Sequence, residues 1–356
     1  MPLGIANLGN TCYMNAALQC GILACEPLLA YFQSEEYVSD LTVPFPDSLT
    51  KAIAWLINEQ SNPDNRHTIY PTMVKTAIDL KMSRFKGTAQ HDCSEFLIHL
   101  LDQLHVELGL KQSSIKRASS SAMLMRSSSL LQTLNGGISG RNAKSINWQV
   151  KGDQWWAGHR SKEDSPIRRL YEGAIRSVMT CTVCSGVSAR FETFTSLILP
   201  IGSDGDIPTA RAQFALTDLF DELLKPEIIH GIDCDYCRRK QSFNRTLDIW
   251  RLPPFLILTI GRFSYDYSTG RKMNNFVDFP IDNLPLDEYV PVEAPLQEFT
   301  NYKLYAVVEH EGTLNRGHYT AIVKKGNDWL NANDARISNC NQICSNNAYM
   351  LFYKWS

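Results

Sequence analysis

Apolar residues recur at helical spacing through the first hundred positions of the chain. Tyr13, Ala17, Cys20, Leu23 and Ala24 mark a helix across 11–32, and similar patterning predicts helices over 47–60 and 71–80. Phe96, Leu97, Leu100, Leu101, Leu104 and Leu108 line one face of another, over 91–110. From about residue 167 the pattern changes to short runs rich in apolar and β-branched residues. Residues 190–201, 247–260, 302–309, 318–324 and 348–354 read as strands, with 255–260 as a fully buried one. The fold class is therefore α+β, helices first and sheet second, without an internal repeat.

Between the two regimes the composition changes. Residues 113–146 hold three serine runs and Gly136-Gly137, with scattered Arg and Lys. This predicts a flexible insertion over about 111–165. Within it, Lys116-Arg117-Ala118-Ser119 and Arg126-Ser127 could attract a basic-directed kinase, but an unmodified loop is the favoured reading.

A length of 356 residues allows one large or two ordinary domains. A net charge of −2 gives no electrostatic reason to bind nucleic acid or an anionic membrane surface. No apolar run approaches the roughly 18 residues of a membrane span. Residues 1–20 lack the basic start and apolar stretch of a secretory signal. These features predict a soluble protein of cytosol or nucleus. Nothing in them specifies an oligomeric state.

The cysteines refine that picture. Four of the ten fall into two pairs, Cys181-Thr-Val-Cys184 and Cys234-Asp-Tyr-Cys237. Thiolates at this spacing wrap one tetrahedral Zn²⁺, and four of them leave no open position for catalysis. The long separation between the pairs adds little closure entropy. A structural zinc is expected. Cys20, Cys25, Cys93, Cys340 and Cys344 sit in apolar or mixed surroundings and read as inert thiols.

Cys12 differs. The Gly- and Asn-rich stretch Gly4-Ile5-Ala6-Asn7-Leu8-Gly9-Asn10-Thr11 ends at Cys12, where the first helical pattern begins. A helix N-terminus favours thiolate over thiol, so Cys12 is a candidate nucleophile. Such a nucleophile needs a base and a group to orient the base. His318, opening a strand after Arg316-Gly317, is the best candidate. A hairpin would return Asn333-Asp334 beside it, where an amide or carboxylate could fix the imidazole tautomer. His67, His159 and His230 read as loop residues, and His99 and His105 as helix residues.

Together these segments resemble one family, the ubiquitin-specific proteases, papain-like cysteine deubiquitinases. The Cys12 segment resembles its Cys box. Residues 301–338 with Ala348-Tyr349-Met350-Leu351-Phe352-Tyr353 resemble its His box. Gln90-His91-Asp92-Cys93-Ser94-Glu95-Phe96-Leu97 resembles the acidic helix motif between them, and the two Cys pairs match its zinc-bearing fingers. Leu252–Leu258 and Arg262-Phe263 match its palm strands.

The resemblance implies a single catalytic domain over 1–356. A helical thumb would occupy about 1–166, β fingers about 176–250, and a β palm 167–175 with 251–356. It implies Cys12 as nucleophile, His318 as general base and acid, Asn333 as third triad member and Asp334 as a residue sharing or replacing that role. Asn7 would stabilise the oxyanion. Asp92 and Glu95, read as one helix face, would receive the arginines of ubiquitin's tail, with His310 and Tyr349 lining the tail's channel. Ala16, Gly261, Ile322 and Ala332 depart from the residues usual in the family, which bears on substrate preference more than on chemistry. An inactive ubiquitin-binding scaffold and a protease for another ubiquitin-like modifier remain as alternatives. A start so close to the Cys box fits either a minimal enzyme or a trimmed domain.

Overall fold

The computed structural model describes residues 3–43, 48–65, 67–109, 138–140, 146–201, 213–265, 270–297, 299–313 and 316–356. The helix predicted over 11–32 is present but divided. Cys12–Leu18 runs into a π-type turn at Gln19–Leu23, and a new helix starts at Glu26–Gln33. Pro27 explains the break: it lacks an N–H and suits only the first turn of the second helix. The other predicted helices form at Leu49–Ser61, Thr72–Lys81 and Cys93–Leu108.

The largest sheet runs in the order Arg336–Asn339, Asp328–Asn333, Gly317–Lys325, Asn301–Gly312, Ala348–Trp355, Phe255–Gly261, Ser196–Pro200. Its central strands are buried on both faces. Met350 and Phe352 join the core shared with the helices, while Leu351 and Tyr353 join a second core on the far face. Cys12, Tyr13 and Ala17 belong to the first core with Tyr319 and Ala321, so the Cys12 helix is pressed onto the Gly317–Lys325 strand. A second, five-stranded sheet holds Gly173–Cys181, Arg239–Arg251 and Glu227–Cys234, with the cysteine pairs at one end.

The insertion differs from expectation in its second half. Trp148–Arg160 is a helix, capped by the Asn147 side chain on the Val150 N–H at 3.1 Å. It packs Trp148 and Trp155 on Phe191 and Trp250. Gly152 lies so close to Trp250 that a Cβ would come within 2.3 Å of the indole nitrogen. Its order comes from this aromatic contact with a distant strand. His159 therefore lies in a helix, and His230 in the Glu227–Cys234 strand, rather than in loops. The serine runs and both kinase-like sequences lie outside the described residues.

Candidate active site

The loop before Cys12 is held by its own side chains. Gly9 (φ +103°) and Asn10 (φ +55°) take left-handed turns. The Asn7 Oδ1 accepts from the N–H groups of Gly9 (2.9 Å) and Thr11 (3.1 Å) and from the Thr11 hydroxyl (3.3 Å). Its Nδ2 donates to Asp334 Oδ2 at 2.9 Å. With both ends of the amide anchored, one Nδ2 hydrogen is left without a partner among the described residues.

Cys12 is the first residue of its helix and is 4 % exposed. Burial pushes its thiol above the ordinary range. The backbone N–H of Tyr319 pulls the other way, the Asp334 charge adds to the upward push, and the N–H groups of Tyr13 and Cys12 oppose it. The net direction is upward, which corrects the expectation from helix position alone. These three N–H groups do not offset desolvation at this site.

His318 and Asn333 meet through a hairpin. The strands Gly317–Lys325 and Asp328–Asn333 pair antiparallel, and His318 Nε2 lies 2.8 Å from Asn333 Oδ1. A carbonyl oxygen only accepts, so Nε2 carries the hydrogen and Nδ1 holds the lone pair. Among the described residues no hydrogen bond joins the ring to the Cys12 thiol.

Asp334 turns away from His318, at φ +49°. Besides Asn7 it accepts from Asn15 Nδ2 at 2.7 Å, and its carbonyl accepts from the Ile5 N–H at 2.9 Å. The adjacent pair expected at His318 is thus divided: Asn333 holds the imidazole, and Asp334 binds the helical half to the sheet.

Asp92 is not on the face of the helix but at its N-cap. Its Oδ1 accepts from the Glu95 N–H at 2.8 Å, and its Oδ2 from the hydroxyls of Tyr349 (2.7 Å) and Tyr319 (3.3 Å). Glu95 is paired with Arg84. His310 is buried against Tyr319, Phe263 and Tyr349, and among the described residues its Nδ1 has no partner. Burial, then the charges of Lys272 and His318, push its pKa down to about 4. Gly317 fits against this ring because it has no Cβ, which would fall 2.0 Å from His310 Nε2. A cleft of about 760 Å³ opens beside these residues, lined by Gln90, Glu311, Gly312, Arg316, Gly317 and His318.

The four paired cysteines converge at the end of the smaller sheet. Their sulfurs all lie within 4.8 Å of one another, with Cys184–Cys234 at 3.5 Å and Cys181–Cys237 at 3.9 Å. Thiolates around a tetrahedral zinc would be roughly 3.8 Å apart, given Zn–S bonds of about 2.3 Å. The donor set and its spacing fit such an ion.

A family model described as ubiquitin carboxyl-terminal hydrolase matches residues 3–353. The chain belongs to that family.

Among family members, Ubiquitin carboxyl-terminal hydrolase 21 of Homo sapiens is 30 % identical over 360 residues, covering 99 % of this chain and 61 % of that protein. Ubiquitin carboxyl-terminal hydrolase 2 of Homo sapiens is 31 % identical over 363 residues, covering 99 % and 54 %. The chain therefore spans less than two thirds of the length of these curated relatives. The SAGA Ubp8/Sgf11/Sus1/Sgf73 DUB module bound to ubiquitin aldehyde shares the fold, with a TM-score of 0.73 at 22 % identity over 99 % of this chain and 69 % of that one.

Sequence reasoning missed Asn15, Tyr319 and Gln90. Asn15 follows Cys12 by one helical turn and so faces the same side, a usable signal. Tyr319 reads as a core residue. The role of Gln90 is visible only in space, where its amide exchanges two long bonds (3.3 and 3.4 Å) with the backbone of Gly317.

Proposed function

We propose that the chain is a deubiquitinase that hydrolyses the isopeptide bond after ubiquitin's C-terminal glycine. The observation carrying this reading is the meeting, at one seam, of a buried thiol, an imidazole with its tautomer fixed, and an amide with one free N–H. The thumb supplies Cys12 and Asn7, and the palm supplies His318 and Asn333.

Ubiquitin's tail lies in the cleft between Gln90 and Gly317, whose groups exchange their mutual bonds for the tail's peptide. Cys12 Sγ attacks the glycine carbonyl carbon and its proton passes to His318 Nδ1. The resting thiol is un-ionised, so transfer accompanies attack rather than preceding it. Negative charge builds on the carbonyl oxygen, where the free Asn7 N–H donates. Asn333 keeps the imidazolium oriented. As the C–N bond breaks, His318 Nδ1 returns the proton to the leaving lysine amine. Water, deprotonated by His318, then hydrolyses the thioester and restores the thiol.

Asp92, already bonded to Tyr319 and Tyr349, acts by setting the channel wall. Glu95 exchanges Arg84 for an arginine of the tail. Cys181, Cys184, Cys234 and Cys237 would hold a structural Zn²⁺ that pins the end of the smaller sheet. The test is cleavage of ubiquitin joined to a lysine side chain, with products weighed by mass spectrometry. Free ubiquitin ending in glycine from wild type, and none from Cys12→Ser, is expected. Cleavage only of another modifier's conjugate would refute the ubiquitin assignment.

A further inference from the structure

A second cavity, of about 560 Å³, lies on the other side of the catalytic pair. Its walls include Leu3, Gly4, Gln60, Thr68, Ala335 and Ile337. The sheet fixes its position relative to the first cleft. At one end of the sheet Gly312 pairs with Gly317, His318 follows on that strand, Asn333 comes next, and Asn333 pairs with Arg336. Crossing the strands in this order leads from the first cleft, through the imidazole and its partner, to Ala335 and Ile337. The Ile5 N–H bond to the Asp334 carbonyl and the Ile69 N–H bond to the Gly4 carbonyl, both 2.9 Å, pin the far wall to the same seam.

If the acyl half of the substrate lies in the first cleft, the departing half must leave across Asn333. We propose that the second cavity is the leaving-group subsite, and that it binds the peptide segment flanking the substrate lysine. This rests on the hydrolase reading above. The described lining is uncharged: amides and hydroxyls at Gln60, Ser61, Asn62, Asn65 and Thr68 alternate with apolar Leu3, Pro63 and Ile337, and His67 sits at the rim. Uncharged amides and hydroxyls suit peptide N–H and C=O groups rather than a phosphate or a carboxylate. Asn62 and Asn65 already bond neighbouring backbone, which shapes the loop. Gln60 does not: among the described residues its Oε1 has no partner, and a rotation of this side chain toward the cavity would present the acceptor to the N–H donors of an extended peptide.

The experiment compares two ubiquitin conjugates with the same acyl half. One carries aminomethylcoumarin, a small aryl amine. The other carries the side chain of a lysine within a short peptide. Gln60→Leu removes the acceptor. Pro63→Trp, at an exposed lining position, narrows the cavity. In both variants kcat/KM for the peptide conjugate should fall relative to the coumarin conjugate by about five-fold or more, the worth of one ordinary hydrogen bond. The ratio cancels any general loss of folded enzyme. An unchanged ratio in either variant defeats this proposal alone. Wild type that cleaves neither conjugate defeats the hydrolase reading and this proposal with it.

Discussion

Asp334 Oδ1 accepts a 2.7 Å hydrogen bond from Asn15 Nδ2, joining residues 319 positions apart. With the Asn7 bond and the Ile5 bond, one residue ties the start of the Cys12 helix to the hairpin that carries His318. The alignment of the helical half with the sheet is thus set beside Cys12 and His318 themselves.

Replacing Asp334 by Ala frees Asn7 and leaves the buried Asn15 amide without its strongest acceptor. Loss of a positioned oxyanion donor costs about 10²–10³ in kcat, and Asp334→Ala should approach the lower end because Asn7 itself remains. KM should change little. Stopped-flow or steady-state kinetics on a fluorogenic ubiquitin amide, with Asn7→Ala as the reference, checks this. Equal kcat in Asp334→Ala and wild type would show that Asn7 needs no anchor.

The upward push on Cys12 has a pH signature. A thiol raised by burial is protonated at neutral pH, and its thiolate fraction grows only as pH rises through the raised value. The alkylation rate of the free enzyme by iodoacetamide should therefore still be climbing above about pH 8.5, the value of a free thiol. A rate that plateaus below neutrality would mean a resting thiolate–imidazolium pair.

His310 makes acid stability predictable. Its folded pKa of about 4 lies below the ordinary 6.5, so between these values the unfolded chain binds the extra proton. The stability this neutral histidine retains is present above about pH 6.5 and is lost as pH falls toward 4. His310→Phe should flatten the fall in melting temperature across that window. An unchanged slope would assign the acid sensitivity to other groups.

Much of this organisation is visible in the sequence, for stated reasons. Helical and strand periods locate the N-terminal helices and the central strands of the large sheet, because each buries one face or both. The cysteine pairs reveal themselves through ligand spacing, and Cys12 through its place between a Gly/Asn loop and a helix. What the sequence conceals is partnership. Asn333 and Asp334 are neighbours in the chain, yet a left-handed turn at Asp334 sends them to different halves of the molecule. Asp92 looks like a charge on a helix face but is a cap shared with two tyrosines from the sheet. The Trp148–Arg160 helix is hidden because its two glycines and modest periodicity favour no helix until Trp250 and Phe191 cover it.

The cysteine cluster predicts a stoichiometry. Elemental analysis should find zinc equimolar with the chain, bound by Cys181, Cys184, Cys234 and Cys237. Cys184→Ser should lower both the zinc content and the melting temperature, with a larger effect than Cys340→Ser, whose sulfur lies outside the cluster. Zinc-free protein of unchanged melting temperature would remove the metal from the account.

The central claim is that Cys12 attacks a carbonyl held at the end of ubiquitin's tail. Ubiquitin bearing a C-terminal electrophile tests it most directly. Wild type should form a covalent adduct that peptide mapping locates on Cys12, Cys12→Ala should form none, and His318→Ala should react far more slowly. An adduct on any other cysteine, or labelling that survives in Cys12→Ala, would contradict the account.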